Sequence, residues 1–562
     1  MRSLTGRLSS LLNSRVSVGR SNKKSNGFSA WMGGASSYPA SRVVDTAYGK
    51  VQGRKLVFKG DKCVDAFQGI PFAKPPIGQL RFKKPQPPDS WEGIKDTTKF
   101  GARAIQPPLF FFEKFRKSAP SEDCLYLNVF TPCWEPPIGG FSVMVYIHGG
   151  GFVMGDAETY GDIGMCENLC TRDIVVVTIH YRLAYLGLFT TGDSVCPGNL
   201  ALWDQTEALR WVQRNIEAFG GNKDNVTVFG QSAGGASVDF LHLSPHSTGL
   251  FHKGICLAGN TEAPWALASN MVEQCRKKAR LLGVEETDSK KLIDRLREIS
   301  ADKFGVNMMT QTDKEDYIDL ETTPYIDGDF FPEALDELRK KATSKPLMTG
   351  VTAEEGIFFM VGKKNNDEGL RKFVSHVLRD ADNKERLEDQ LRKKYVDDRN
   401  LKEKHNLLRV QAEVHSDYFM NIPTLKWCKK NAENEQPVYL YLFEHFNVKT
   451  LGLGRFVLPI LDATHCLELT YLFRRSIFAP FVATESEHSV ENNFSTAFTN
   501  FAKFGNPNGG VASRTDLPAQ WKPIDSRNTT RNFVFTTEGG HMNESYFGGR
   551  PAEIQAMIEL GH

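Results

Sequence analysis

A serine set among glycines, Phe229-Gly230-Gln231-Ser232-Ala233-Gly234-Gly235, carries the clearest chemistry in this chain. The β-branched run Val226-Thr227-Val228-Phe229 leads into it, and a small-residue segment able to open a helix follows. Strand, tight turn and helix is the context in which Gly-x-Ser-x-Gly becomes a nucleophile elbow. Such a turn holds the Ser232 hydroxyl clear of the sheet in a strained backbone conformation. Gly230 and Gly234 flank it because a side chain there would collide with the neighbouring strand or helix. The helix that follows points the positive end of its dipole at the reacting centre. A hydroxyl is a poor nucleophile near neutral pH; it needs a base, and the base needs an acid to orient it.

Upstream, the apolar run Phe141-Ser142-Val143-Met144-Val145-Tyr146-Ile147 feeds into His148-Gly149-Gly150-Gly151-Phe152. Glycines after a buried strand leave backbone N–H groups open to close approach, as acyl transfer requires for the oxyanion of its tetrahedral intermediate. Gly150, Gly151 and Ala233 are the expected donors. An acid and then a histidine should follow the serine along the chain. The strand pattern at 346–352 is followed by Ala353-Glu354-Glu355-Gly356, and either carboxylate suits the role. Two later histidines are candidates. His445 ends the alternating strand 438–443, where capping is a sufficient role. His465 follows a loop and opens a helix, which suits a base on a rigid scaffold.

Motifs spread along the chain resemble those of type-B carboxylesterases, the group that also contains cholinesterases. They include Gln68-Gly69-Ile70-Pro71-Phe72-Ala73, Ser121-Glu122-Asp123-Cys124-Leu125, the glycine loop, Asn199-Leu200-Ala201-Leu202-Trp203-Asp204-Gln205 and the elbow. Glu354-Glu355-Gly356, the stretch from His465 to Phe473, and Asn500-Phe501-Ala502-Lys503-Phe504-Gly505 complete the set. The resemblance implies an α/β-hydrolase fold, a serine esterase acting on small-molecule esters, and the triad Ser232, Glu355 and His465. It implies no metal and no organic cofactor. It also places Trp265 at an acyl-pocket position, with Phe152 and Gln231 beside it. A non-catalytic binding module is the competing class, since some relatives of this fold are adhesion proteins. Within catalysis, a lipid or acylglycerol esterase is second to a hydrolase of short to medium acyl esters.

The departures from the family pattern narrow the substrate. The cation-binding tryptophan of cholinesterases falls on Lys114, and an ammonium repels choline where an indole face would hold it. Gln231 stands where cholinesterases have Glu. Choline esters are therefore poor candidates. The run Leu109-Phe110-Phe111-Phe112 either lines an apolar gorge or packs in the core. Ala258 replaces a serine that usually supports the triad acid.

Buried-type strands such as 174–179 alternate with helical patterns such as 204–216, which predicts one α/β domain over 43–562, its mostly parallel sheet covered by helices on both faces. The charge-rich 363–432 region reads as helices beside the site. Residues 1–42 read as a separate basic leader: positions 1–44 hold seven Lys or Arg and no acid. The formal charge of +2 thus conceals an acidic body, which gives no reason to expect nucleic acid binding. The leader lacks the apolar core of a secretory signal. It fits a disordered tail, a mitochondrial transit peptide, or an N-myristoylation site if translation starts at Met32, which would allow peripheral membrane association. No stretch is long and apolar enough to span a bilayer. The upstream cysteine that secreted relatives pair with the one in Glu-Asp-Cys-Leu is absent, so Cys124 is expected to be a free thiol in an intracellular, reducing compartment.

Overall fold

The computed structural model describes residues 38–108, 118–307, 320–379, 381–396, 406–477, 481, 483–511 and 513–559. Leader positions 1–37, including the Met32 start, lie outside them, as do the aromatic run at 109–112 and Lys114.

Among the described residues fifteen strands are formed: β1 (Ala40–Thr46), β2 (Gly49–Val57), β3 (Cys63–Pro71), β4 (Ile94–Asp96), β5 (Arg103–Ala104), β6 (Pro120–Ser121), β7 (Tyr126–Pro132), β8 (Phe141–Ile147), β9 (Ile174–Ile179), β10 (Gly221–Gln231), β11 (Lys253–Leu257), β12 (Leu347–Thr352), β13 (Val438–Phe443), β14 (Asn532–Thr536) and β15 (Gly539–Asn543). All but β5 and β6 join one 13-stranded sheet in the order β1-β2-β3-β7-β9-β8-β10-β11-β12-β13-β14-β15, with β4 on β2. From β9 to β14 every pairing is parallel; antiparallel strands flank this centre. This is the α/β architecture that the sequence implied.

The near-continuous apolar runs of the central strands follow from burial on both faces. Every residue of β8, β9, β11, β12 and β13 is buried. Alternation along β8 divides its side chains between two cores. Val143, Val145 and Ile147 pack with residues of the Leu200–Asn215 and Ala233–Leu243 helices. Met144 and Tyr146 pack with Phe494 and Phe498 of the Glu485–Phe504 helix. That last helix is delimited by its sequence: Thr484 and Glu487 form a capping box, and Gly505 ends it at φ 70°.

Two details refine the expected organisation. β1 begins at Ala40, so the last three residues assigned to the leader belong to the sheet. Ser41 Oγ accepts from the Gly53 N–H at 2.8 Å, and Arg42 donates to Asp65 at 3.0 Å, which ties the strand down. The 363–432 region forms helices at Asp367–Val377, Lys384–Val396, Asn406–Ser416 and Ile422–Glu433, the last two joined by a π-helical turn at Asp417–Asn421.

Candidate active site

β10 delivers Ser232 into a turn with φ 59° and ψ −125°, and the Ala233–Leu243 helix starts at the next residue. That backbone is costly for a residue with a Cβ, and the surroundings hold it there. The Ser232 N–H donates to Leu257 O at 2.8 Å. The two glycines of the elbow are there for close approach: a Cβ on Gly230 would lie 2.4 Å from the Gly234 carbonyl carbon, and one on Gly234 would lie 2.1 Å from Ile147 O.

The glycine loop that leaves β8 presses on the same turn. A Cβ on Gly149 would lie 2.3 Å from Gln231 O and 3.0 Å from Ser232 Cβ. Gly150 and Gly151 have φ of 110° and 59°. Among the described residues neither of their N–H groups is used in a hydrogen bond. Ala233 is the first residue of its helix, so its N–H has no intrahelical acceptor either. His148 anchors the loop: its ring stacks on Tyr181 at 4.4 Å, and the Tyr181 hydroxyl donates to His148 O at 2.8 Å. Arg182, next along, is fixed by hydrogen bonds to both carboxylate oxygens of the buried Asp204.

Glu355 and His465 meet. Glu355 follows β12 and is fully buried, and its Oε2 is hydrogen-bonded to His465 Nδ1. Oε1 accepts from both the N–H and the Oγ1 of Thr352, at 2.6 and 2.9 Å. Thr352 thus orients the acid in a site where Ala258 offers no hydroxyl. The next residue is held from behind, since the Gly356 N–H donates to Ser416 Oγ at 2.8 Å. A ring whose Nδ1–H points at a carboxylate presents Nε2 as the basic nitrogen. His465 Nε2 faces the Gln231 amide nitrogen at 3.1 Å, and the Ser232 hydroxyl makes no hydrogen bond among the described residues. Nucleophile–base contacts are commonly loose before substrate arrives.

The other sequence candidates have these surroundings. His445 Nδ1 contacts Thr537 Oγ1 at 2.7 Å, at the end of β13. Glu354 lies among the charges of Glu413, Asp462, Arg550 and Arg409; burial and its acidic neighbours raise it to about 7. Trp265 donates its indole N–H to Phe419 O at 3.1 Å, and Phe152 is wholly buried in the larger core.

Residues to which the sequence assigned no role complete the surroundings. Phe358 and Phe359 lie 5.9 and 5.6 Å from His465, ring to ring. The pair follows directly on Glu355-Gly356, which is the signal that could have found it. Glu468 is fully buried with both carboxylate oxygens unpartnered, and burial, with the Glu355 charge nearby, pushes it far above the carboxylate range. Among the described residues no group of three or more His, Cys, Asp or Glu could hold a metal ion, and no helix is long and apolar enough to cross a membrane.

An elbow serine, three open N–H groups and a carboxylate-held imidazole suit acyl transfer. Comparison with known proteins agrees. Residues 40–551 match the model of the carboxylesterase family. The chain is 37% identical to Esterase cest-33 of Caenorhabditis elegans, over 87% of this chain and 89% of that protein. It is 34% identical to the Cocaine esterase of Homo sapiens, over 84% and 85%. It is 35% identical to Pyrethroid hydrolase Ces2e of Rattus norvegicus, over 84% and 83%.

Proposed function

Because this chain belongs to the carboxylesterase family and is a carboxylic ester hydrolase, we propose that it works through an acyl-enzyme on Ser232, with His465 as base and Glu355 as its orienting acid. Its substrates are small esters of short to medium acyl length, and choline esters are poor substrates. The observation that carries this reading is the buried Glu355–His465 contact, whose carboxylate is held on its other oxygen by Thr352.

In this cycle His465 Nε2 takes the Ser232 proton as Oγ attacks the ester carbonyl. The Gln231 amide, which occupies Nε2 at rest, gives way to the serine hydroxyl. The oxyanion forms against the N–H groups of Gly150, Gly151 and Ala233, each worth about 2.7–4 kcal/mol of transition-state stabilisation. The imidazolium, stabilised by Glu355, then protonates the leaving alcohol. Water, activated by the same nitrogen, attacks the acyl carbonyl, and the acid leaves as Ser232 recovers its proton.

Gln231 supports the low rank of choline esters, because a neutral amide offers a quaternary ammonium no charge partner. Relatives named for cocaine and pyrethroids support a broad range of small esters. Acyl length is left to experiment, since a pocket discriminates one methylene by only about 1–3 kcal/mol. The test is hydrolysis of p-nitrophenyl esters from acetate to decanoate, with acetylthiocholine alongside and Ser232→Ala as control. Activity highest on the shorter esters, absent on acetylthiocholine and lost in the variant is expected. A maximum at decanoate would favour a lipid esterase, and equal activity in the variant would remove the triad assignment. We also infer an intracellular setting, supported by ten free cysteines; recovery of the tagged chain from culture medium would contradict it.

A further inference from the structure

Two thiols remote from the triad stand side by side in the outer, antiparallel part of the sheet. Cys63 opens β3, and Cys133 follows the last residue of β7. These strands pair with Val64 opposite Pro132, which sets Cys63 opposite Cys133. The Cys133 N–H donates to Cys63 O at 3.0 Å. In such a hydrogen-bonded antiparallel pair the Cα atoms are about 5.5 Å apart, inside the roughly 4.4–6.8 Å that a disulfide spans. Directly opposed side chains share a face of the sheet. The two thiols are close enough to interact by a hydrogen bond, and both residues are partly exposed. Another close pair, Cys166 and Cys170, is wholly buried.

We propose that Cys63 and Cys133 are a redox modification site, closing to a reversible disulfide when the protein meets a hydroperoxide. Cys63 gives up its proton and attacks the peroxide oxygen as thiolate; the O–O bond breaks, the departing hydroxide or alkoxide takes up that proton and leaves as water or an alcohol, and Cys63 becomes a sulfenic acid. The Cys133 sulfur then attacks the Cys63 sulfur, and hydroxide departs with the Cys133 proton as water. Two thiols supply the two electrons that reduce one peroxide. The order follows from the surroundings: burial, the contact with Cys63 and the Asp65 charge all push the Cys133 thiol up, so it is the resolving partner. Cβ atoms in opposed pairs lie about 4.5–5.5 Å apart, wider than the about 3.8 Å mean of disulfides, so the strands draw together as the bond forms and a thiol reductant reopens it. The bond closes the chain from 63 to 133, a constraint felt by the unfolded state.

The full chain is exposed to hydrogen peroxide, its remaining thiols are alkylated under denaturing conditions, and it is digested without reduction for mass spectrometry. A Cys63–Cys133 linked peptide that dithiothreitol abolishes is expected, along with a melting temperature a few degrees above that of the reduced chain. Cys63→Ser should remove the linked peptide and the thermal shift while leaving ester hydrolysis intact. Three results would each overturn the proposal: both thiols still alkylated after peroxide, each oxidised to the sulfinic state independently, or either bonded to a different cysteine.

Discussion

Gly234→Ala sets two opposing effects against each other at one atom. Gly234 lies inside a helix and has no positive φ, so alanine suits its backbone and should favour the helix by about 1 kcal/mol. The added Cβ, however, would sit 2.1 Å from Ile147 O and 2.9 Å from His148 C. Real Cβ contacts begin near 3.0 Å, so a gap of about 0.9 Å must open between the elbow helix and the end of β8. Both obstructing atoms are backbone, so no side chain can swing aside. Overpacking of this kind costs about 1–3 kcal/mol or more, which exceeds the gain in propensity. The displaced backbone leads straight into the loop that offers Gly150 and Gly151. A shift of about 1 Å in reacting groups costs about 10²-fold in rate, or about 2.7 kcal/mol. The assay is kcat/KM on p-nitrophenyl acetate, with thermal denaturation to verify folding. Gly254→Ala in β11 is the control, because its new Cβ would meet only side-chain atoms, at 3.1 and 3.2 Å. A folded Gly234→Ala enzyme with near-parental kcat/KM would refute the claim that this contact positions the oxyanion donors.

Further outcomes follow from the site and its supports. Glu355→Gln keeps the shape but lets the imidazole take the wrong tautomer, so kcat should fall by about 10⁴-fold with little change in KM; a loss under tenfold would contradict the assignment. Glu354, raised from 4.5 to about 7, holds its proton more tightly in the folded chain than in the unfolded one. It therefore costs nothing at low pH and destabilises the fold progressively as pH rises from about 4.5 to 7, by about 3 kcal/mol. Glu354→Gln should match the parent's denaturation midpoint at pH 4 and exceed it at pH 8; an equal midpoint at both would refute this. Asp239, on the elbow helix, is opposed by burial yet held down at about 2 by the Arg339 charge and hydrogen bonds. Arg339→Met should cost about 3–5 kcal/mol in chemical denaturation, and adding Asp239→Leu should recover much of it.

The catalytic elements were legible because their local rules are strict. A strand ending in Gly-x-Ser-x-Gly leaves few conformations, and the three glycines after β8 have few uses besides exposing backbone. The buried central strands showed themselves as unbroken apolar runs, for which both covered faces are the cause. What remained hidden depends on side chains brought together from afar. Residue type left Glu354 and Glu355 equivalent as candidates, and only the contact with His465 separates them in space. Thr352 reads as the end of a strand until its two donors are seen on Glu355. Glu468 looked like part of a helix start, although both its oxygens are buried without partners. The first three residues of β1 fall in the stretch read as leader, since a basic, polar segment carries no apolar periodicity; their pairing is secured by Ser41 and Arg42.

Ser232 must carry the acyl group if this enzyme works through an acyl-enzyme. Rapid mixing with excess p-nitrophenyl acetate should release a burst of about one p-nitrophenol per chain before steady turnover. Acid-quenched enzyme from that burst should carry one acetyl group, located by peptide mapping on Ser232. A burst without an adduct there, an adduct on another residue, or turnover that survives Ser232→Ala would contradict the account.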